Sequence, residues 1–262
     1  MISKTELKRL TAYKQSKYRN ADSLFVVEGV KMTEELLASC FEPIAVYAVQ
    51  SWFDENERLI GSKPMPFYEI SNEELERISL LSTPNKVFCL AYKPQLKPIK
   101  YENNLTIAID NIKDPGNLGT IMRIADWFGI KDIVCSRQCV DVFNPKVVQA
   151  SMGSIFRVNV LYEDLENVLQ SLPKNFPIYG TIVENGTNIY QTDLSSDGII
   201  VIGSESFGIS EQIKTFVNQP LSIPRLSLNA NKPESLNASV ATAIIVSEFR
   251  RRLAFEQNIL LH

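Results

Sequence analysis

The chain of 262 residues contains a single histidine, and it is the last residue, His262. Serine–histidine and cysteine–histidine catalysis need a histidine inside the fold, and so do histidine-ligated metal sites. The sequence therefore predicts chemistry carried by Arg, Lys, Glu, Asp, Ser or Asn side chains, or by a bound cofactor.

Cysteine is also scarce, with four residues scattered at Cys40, Cys89, Cys135 and Cys139. Cys135 and Cys139 are close in sequence, but no third or fourth ligand follows them, which favours buried, reduced thiols over a zinc site. The first residues lack the apolar segment of a signal peptide, and no apolar run reaches membrane-spanning length. We therefore expect a cytoplasmic protein with no membrane segment and no metal.

Two nucleotide-binding patterns are missing. There is no Gly-x-x-x-x-Gly-Lys-[Ser/Thr] segment, so ATP hydrolysis has no support in the sequence. The first strand-to-helix turn of the carboxyl-terminal half lacks Gly-x-Gly-x-x-Gly and carries an arginine instead. A nucleotide-dependent oxidoreductase with a Rossmann-like fold is one possible interpretation of the chain, and this absence argues against it.

Two prolines and three lysines interrupt the apolar runs at residues 93–100, and this composition is typical of a linker. We predict a domain over 1–95, a linker over 96–104 and a second domain over 105–262. Strand-like and helix-like runs alternate in both, including a helix over 51–59. The fold class is therefore α/β, with a small first domain and a doubly wound, mainly parallel sheet in the second.

The net charge of −3 argues against a nucleic-acid partner, but the charge is unevenly distributed. Residues 1–20 contain six cationic side chains and only one acidic one, Glu6. Such a block is commonly a solvated face, and interleaved tyrosines also suit a phosphate-binding surface. The candidate phosphate-binding side chains are Lys14, Lys17 and Arg19.

The most informative segment runs from Asp114 to Arg123, after the apolar strand-like run 105–110. Its Pro-Gly turn is an ordinary way to begin a helix, but that turn does not require Arg123. A guanidinium recognises phosphate or carboxylate, and it is seldom buried without a partner. Ligands bind at the carboxyl ends of strands in open α/β sheets, so this turn is a candidate site.

Two later segments have a similar design. Gly203 to Gly208 follows an apolar strand-like run, and Ile223-Pro224 is followed by a polar loop over 225–234 and then Ser235-Leu236-Asn237. Taken singly, the first is an ordinary turn and the last an ordinary helix N-cap.

In order, the three segments read Asn-x-Gly-x-x-x-Arg, Gly-x-Glu-x-x-Gly and Ile-Pro…Ser-Leu-Asn-x-Ser-Val-Ala. This arrangement resembles the signature motifs of the SpoU (TrmH-like) RNA ribose 2′-O-methyltransferases of the SPOUT class, over residues 105–255. Tyr18-Arg19 and the run 24–29 are similar to the L30e-like substrate-binding domain of many members, over residues 1–95.

The resemblance implies a homodimer with a trefoil-knotted second domain that binds S-adenosylmethionine. It implies an RNA substrate, with ribosomal RNA favoured over transfer RNA. The matching catalytic positions are Asn117, Arg123, Glu205, Ser235 and Asn237, and the matching cofactor positions are Gly203, Ile223 and Leu236. Because a guanidinium stays protonated, we expect Arg123 to grip phosphate and orient the 2′-oxygen, while phosphate or Glu205 takes the proton.

The sequence departs from the family pattern at two places. Ser206 stands where glycine is usual, and the loop after Pro224 is longer and lacks the customary Met and Gly. These departures keep a second interpretation open, in which the chain is a catalytically inactive, ribosome-associated RNA-binding protein of the same fold.

Overall fold

The computed structural model describes residues 2–61, 64–81, 83–183, 185–227 and 235–256, with only the backbone for 253–256. The chain forms two compact units. The first comprises Met1–Gln95 with Asp141–Arg157, and the second comprises Leu96–Val140 with Val158–His262.

The first unit is built on a four-stranded sheet of order β1-β4-β2-β3, in which β4 runs antiparallel to β1 and β2 while β3 is parallel to β2. Its apolar core includes Leu10, Val26, Ile78, Phe88 and Leu90. The strands are β1 (Leu24–Glu28), β2 (Pro43–Ala48), β3 (Phe67–Glu69) and β4 (Val87–Tyr92), and the helices before residue 95 are α1 (Lys4–Ala12), α2 (Ser16–Asp22), α3 (Val30–Ala38), α4 (Gln50–Glu55), α5 (Glu57–Ile60) and α6 (Asn72–Ile78).

Two helices of this unit differ from the sequence prediction. The helix expected over 51–59 is interrupted at Asn56, whose side-chain Nδ2 donates to the carbonyl of Trp52 at 2.8 Å. Asparagine competes for backbone hydrogen bonds in this way and so disfavours helix interiors. Helix α2 was not predicted, because its seven polar and small residues show no apolar periodicity.

Residues 141–157 pack in the first unit, although they lie beyond the predicted linker. They contain helix α8 (Pro145–Ser151) and a 3₁₀ turn (Ser154–Phe156). The ring centroids of Phe143 and Phe25 are 4.9 Å apart, and those of Phe156 and Phe41 are 5.2 Å apart. The domain boundary predicted at residues 95–105 stays a prediction. The segment 141–157 lies after that boundary in the sequence, yet it buries its aromatic rings in the first unit.

The second unit contains a seven-stranded, wholly parallel sheet of order β7-β6-β5-β10-β8-β11-β9, as the α/β prediction requires. Its central strands are buried throughout, which explains their continuous apolar sequences. The trefoil knot stays a prediction. The strands are β5 (Leu105–Ile109), β6 (Asp132–Ser136), β7 (Asn159–Glu163), β8 (Ile178–Thr181), β9 (Thr187–Asn188), β10 (Gly198–Ile202) and β11 (Gln219–Ser222), and the helices are α7 (Pro115–Trp127), α9 (Leu165–Gln170), α10 (Glu211–Lys214) and α11 (Ala238–Glu256).

The strand order reverses beside β5. From β5 the chain proceeds outward to β6 and β7, whereas β10 lies on the other side of β5. Loops that leave adjacent strands in opposite directions open a crevice at the carboxyl edge of a parallel sheet, where ligands bind. The first and second motifs follow β5 and β10, so the topology brings them to this crevice.

All four cysteines are free thiols; Cys135 and Cys139 are buried, as expected, and Cys40 is exposed. A hydrogen bond from Cys135 lowers the pKa of Cys139 to about 7.

Within the part of the chain that the structure describes, no group of three or more His, Cys, Asp or Glu side chains is arranged to hold a metal. No helix among the described ranges is long and apolar enough to cross a membrane.

An ion-pair cluster anchors the far end of α11. The Glu248 carboxylate is 6% exposed and accepts hydrogen bonds from Arg251 and Arg252 at 2.7 to 2.8 Å. Arg252 also donates to the carbonyls of Ile189 and Thr192 in the second unit. The two guanidinium groups hold the pKa of Glu248 at about 2.

We expect Glu248→Gln to reduce the free energy of unfolding by about 1–2 kcal/mol at pH 7, because hydrogen bonds to the carboxylate are charge-assisted. The folded-state pKa lies below the ordinary 4.5, so the carboxylate stabilises the fold above that pH and loses its effect as the pH falls toward 2. Urea unfolding should show the difference from wild type shrinking between pH 5 and 3. The control Glu211→Gln removes an exposed pair with Lys214 and should change little.

Candidate active site

The two polar residues of the first motif, Asn117 and Arg123, both lie on helix α7 but differ in solvent exposure. Asp114 is the N-cap and accepts from the backbone N–H of Asn117 at 2.8 Å, and Pro115 occupies the first turn. These are ordinary helix-start residues, and they fix the helix direction. Asn117 is 7% exposed and faces inward, whereas Arg123 is exposed to solvent.

The second motif forms a tight turn after β10. Ser204 and Gly208 exchange two backbone hydrogen bonds of 3.0 and 2.8 Å, and Gly208 has φ +65°. A Cβ atom on Gly203 would lie 2.1 Å from the carbonyl carbon of Gly208, so only glycine fits there. Ser206 is not among the positive-φ residues, so serine causes no backbone strain where the family usually has glycine.

A buried carboxylate ties this turn to the neighbouring strand. Asp110 is 2% exposed at the end of β5, and its Oδ2 accepts from the backbone N–H of Ser210 at 2.7 Å. Sequence reasoning missed Asp110, although an acidic residue closing a buried strand was an available signal. The bond fixes the two strand-end turns relative to each other.

One carboxylate oxygen joins all three motifs. Glu205 Oε1 accepts from Asn117 Nδ2 at 2.9 Å, from Asn237 Nδ2, and from the backbone N–H of Ala238 at 3.4 Å. Asn237 Nδ2 also donates to Asn117 Oδ1 at 2.9 Å. We call Asn117, Glu205 and Asn237 the polar triad.

Asn237 also begins helix α11. Its Oδ1 accepts from Ser239 N at 3.0 Å and from Val240 N at 3.3 Å, as an N-cap side chain does. The amide therefore uses its oxygen for the helix and its nitrogen for the triad. Its position as an N-cap was readable from sequence, but its contact with Glu205 was not.

Two cavities flank the polar triad. The larger, of about 880 Å³, is lined by the three predicted cofactor positions Gly203, Ile223 and Leu236, and by Ser235. The smaller, of about 530 Å³, is lined by the first motif, including Asn117. The two share one wall, made of residues 204–208 and Ala238. Residues 228–234 of the longer loop lie outside the described residues.

Arg123 is not part of this arrangement within one chain. It lines neither cavity and makes no hydrogen bond or ion pair with the residues that the structure describes. One helical turn further along α7, Trp127 is 85% exposed. The structure therefore brings together every predicted catalytic residue except Arg123.

The predicted RNA-binding residues of the first unit separate into two kinds. Lys14 and Lys17 are exposed, and Lys17 Nζ lies 4.7 Å from the centre of the Tyr18 ring. Arg19 is 2% exposed and donates to the carbonyls of Tyr13 and Lys14, and it forms an ion pair with Asp141 at 2.6 Å. The expectation for Arg19 was wrong, because its guanidinium is buried and paired and cannot contact RNA phosphate.

The fold and the three-motif site define an RNA methyltransferase. Residues 104–247 match the SpoU rRNA Methylase family, and residues 4–89 match the MRM3-like substrate binding domain. The chain belongs to the SpoU rRNA methylase family, which confirms the resemblance seen in the motifs.

Named relatives agree over nearly the whole chain. The 23S rRNA (guanosine(2553)-2′-O)-methyltransferase RlmP of Bacillus subtilis is 27% identical over 238 residues, covering 89% of this chain and 91% of that protein. A structure assigned to the TrmH family of RNA methyltransferases, from Porphyromonas gingivalis, is 32% identical with a TM-score of 0.84 and covers 96% of this chain and 99% of its own. The AdoMet-bound rRNA methyltransferase of Sinorhizobium meliloti is 23% identical with a TM-score of 0.84 and covers 97% of each chain, which supports the fold alone.

We expect Asn117→Ala and Asn237→Ala each to lower the free energy of unfolding by about 1 kcal/mol. The double variant should lose less than the sum, because the hydrogen bond between the two amides can be lost only once. Urea unfolding of the four proteins measures this coupling. As a control, Asn117→Ala combined with Asn218→Ala should be additive, since Asn218 bonds Phe176 and Ile178 instead.

Proposed function

We propose that this protein transfers a methyl group from S-adenosylmethionine to a ribose 2′-hydroxyl of ribosomal RNA in the cytoplasm. The observation that carries the proposal is the junction of all three family motifs at Glu205, between two cavities. The 2′-hydroxyl distinguishes RNA from DNA, so the acceptor atom itself selects the class of nucleic acid. Ribosomal RNA is favoured over transfer RNA because the named relative RlmP is a 23S rRNA methyltransferase.

The larger cavity suits S-adenosylmethionine. Its volume of about 880 Å³ lies within the usual range of small-molecule sites, about 300–1,000 Å³. Ile223 and Leu236 supply apolar surface, and Gly203 leaves the backbone accessible. S-adenosylmethionine supplies a methyl group that is already activated by its sulfonium. The protein then has to align the two reactants and accept one proton.

Glu205 is placed to receive that proton or to orient the hydroxyl. Its Oε1 is held by the two triad amides, while Oε2 accepts no hydrogen bond from the residues that the structure describes. A carboxylate fixed through one oxygen presents the other in a defined direction, which is what a general base requires. Asn117 and Asn237 act as positioning residues, and Ser235 contacts the bound reactants from the rim of the larger cavity.

Under this proposal, Arg123 of one subunit acts at the active site of the partner subunit, so it functions only in a homodimer. It lines neither cavity of its own chain, and it lies one helical turn from the exposed Trp127. Val240 is 47% exposed on α11, the helix that packs against α7. Exposed apolar residues beside an unpaired cation suit a subunit contact that brings Arg123 to the partner's RNA.

We expect Arg123→Ala to reduce methyl transfer to ribosomal RNA by at least about a hundredfold, as loss of one charge-stabilising donor does in other enzymes. Calorimetry should show S-adenosylmethionine binding within about twofold of wild type, because Arg123 does not line the larger cavity. Arg123→Lys keeps the charge but loses the planar fork, and it should restore activity only partly. Equal turnover in wild type and Arg123→Ala would contradict the assigned role.

Mixed dimers test whether Arg123 acts across subunits. Arg123→Ala and Glu205→Ala proteins are each inactive under this proposal. A heterodimer of the two contains one site with both an intact Glu205 and an intact Arg123 from the other chain, so mixing should recover activity. If Arg123 serves its own chain, no complete site forms and mixing recovers nothing.

Lys14 and Lys17 should dock RNA through phosphate contacts. We expect the double variant Lys14→Ala, Lys17→Ala to bind ribosomal RNA more weakly and to reduce the slope of log affinity against log salt by about 1.4, or about 0.7 per lost contact. Filter binding from 50 to 200 mM salt measures both. The charge-matched control Lys131→Ala, Lys174→Ala should leave the slope unchanged, and an unchanged slope in the test variant would remove this surface from the RNA site.

A further inference from the structure

The smaller cavity adjoins the Glu205 carboxylate but is separate from the cavity that suits S-adenosylmethionine. It shares residues 204–208 and Ala238 with the larger cavity, so the turn that bears Glu205 separates the two. Residues 111–114, which lead into the first motif, form part of its remaining lining. A ligand in the smaller cavity therefore lies against Asn117 and Glu205 and shares the turn 204–208 with the proposed cofactor.

Phe207 is the unusual feature of this shared wall. Its side chain is 88% exposed, and its ring makes no contact with another aromatic ring among the residues described. Its backbone is nevertheless fixed, because Phe207 N donates to Ser204 Oγ at 3.3 Å inside a turn closed by the Ser204–Gly208 hydrogen bonds. A solvent-exposed aromatic ring on a hydrogen-bonded turn is a surface on which a nucleic-acid base can stack.

Lys113 supplies the complementary charge. It is the one cationic side chain among the described residues that line the smaller cavity, and it is exposed. It makes no hydrogen bond or ion pair within the described part of the chain. The neighbouring Asp114 caps α7 through Oδ1, which accepts from the backbone N–H of Asn117, and it forms no ion pair with Lys113 among the described residues.

We propose that the smaller cavity binds the target nucleotide, with its base stacked on Phe207 and its phosphate bound by Lys113. This inference rests on the proposed function and assigns its acceptor subsite. A nucleotide combines a flat apolar base, a polar sugar and an anionic phosphate, and the cavity lining includes an aromatic ring, the polar side chains of Asn117 and Glu205, and a cation. Stacking tolerates every base, so Phe207 contributes affinity and position rather than sequence readout.

Phe207→Ala tests the stacking role with unmethylated ribosomal RNA from cells that lack this gene, at saturating S-adenosylmethionine. We expect KM for the RNA to rise about tenfold, the loss typical of one stacked base. Phe207→Trp should restore it, and the control Tyr190→Ala removes an exposed aromatic side chain that lines neither cavity and should leave KM unchanged. An unchanged KM in Phe207→Ala would overturn the proposal.

Phe207 lines both cavities, so a measurement of cofactor affinity is needed to decide which cavity its ring serves. Calorimetry with S-adenosylmethionine should give the same Kd for Phe207→Ala as for wild type. A tenfold weaker Kd with an unaltered RNA KM would assign the ring to the cofactor instead and overturn the inference.

Lys113→Ala tests the phosphate contact. Its RNA KM should rise, and the salt dependence of RNA binding should decrease by about one phosphate contact relative to wild type and to the control Lys131→Ala. An unaltered salt slope would remove Lys113 from the subsite. Wild-type protein that transfers no methyl group to any RNA would overturn the proposed function and this inference with it, whereas active wild type with unaffected variants overturns this inference alone.

Discussion

The site depends on one oxygen atom, Glu205 Oε1, which accepts hydrogen bonds from Asn117, Asn237 and the backbone of Ala238. Glu205 is separated from Asn117 by 88 residues and from Asn237 by 32. A carboxylate bound by two amides is a charge-assisted arrangement, stronger than hydrogen bonds between neutral groups. It joins the starts of α7 and α11 to the turn after β10, and both cavities are bounded by the elements that it joins.

The arrangement requires a scaffold that places three turns together before any side chain can pair. The parallel sheet does this by setting β10 directly beside β5, so that the first two motifs leave neighbouring strand ends. The bond from Ser210 to Asp110 then fixes the second turn, and the contact between Gly203 and Gly208 leaves no room for a side chain. Backbone constraints therefore position Glu205, and the triad amides only hold it there.

Arg19 and Arg123 show that the role of a guanidinium group depends on whether it is buried. Arg19 and Arg123 both stand in sequence contexts typical of nucleic-acid contact, yet Arg19 is buried against Asp141 while Arg123 is exposed and unpaired among the described residues. Arg19 is held within the first unit, because its guanidinium bonds Asp141 and the carbonyls of Tyr13 and Lys14. Arg123 remains available to a ligand or a second subunit. The same side chain thus has a structural role in one place and a proposed functional role in the other.

The α/β class, the parallel second sheet and the family were predictable from the amino-acid sequence, as were the residues of the candidate site. Alternating apolar runs report local structure, and the three motifs stand at the ends of those runs, so their residues were identifiable without coordinates. Only the tertiary structure decided that Asn117, Glu205 and Asn237 share one oxygen, that Ser206 needs no glycine conformation, that Arg19 is buried and that residues 141–157 pack with the first unit. The physical reason is that burial and long-range pairing depend on which distant segments meet, and a local pattern does not contain that information.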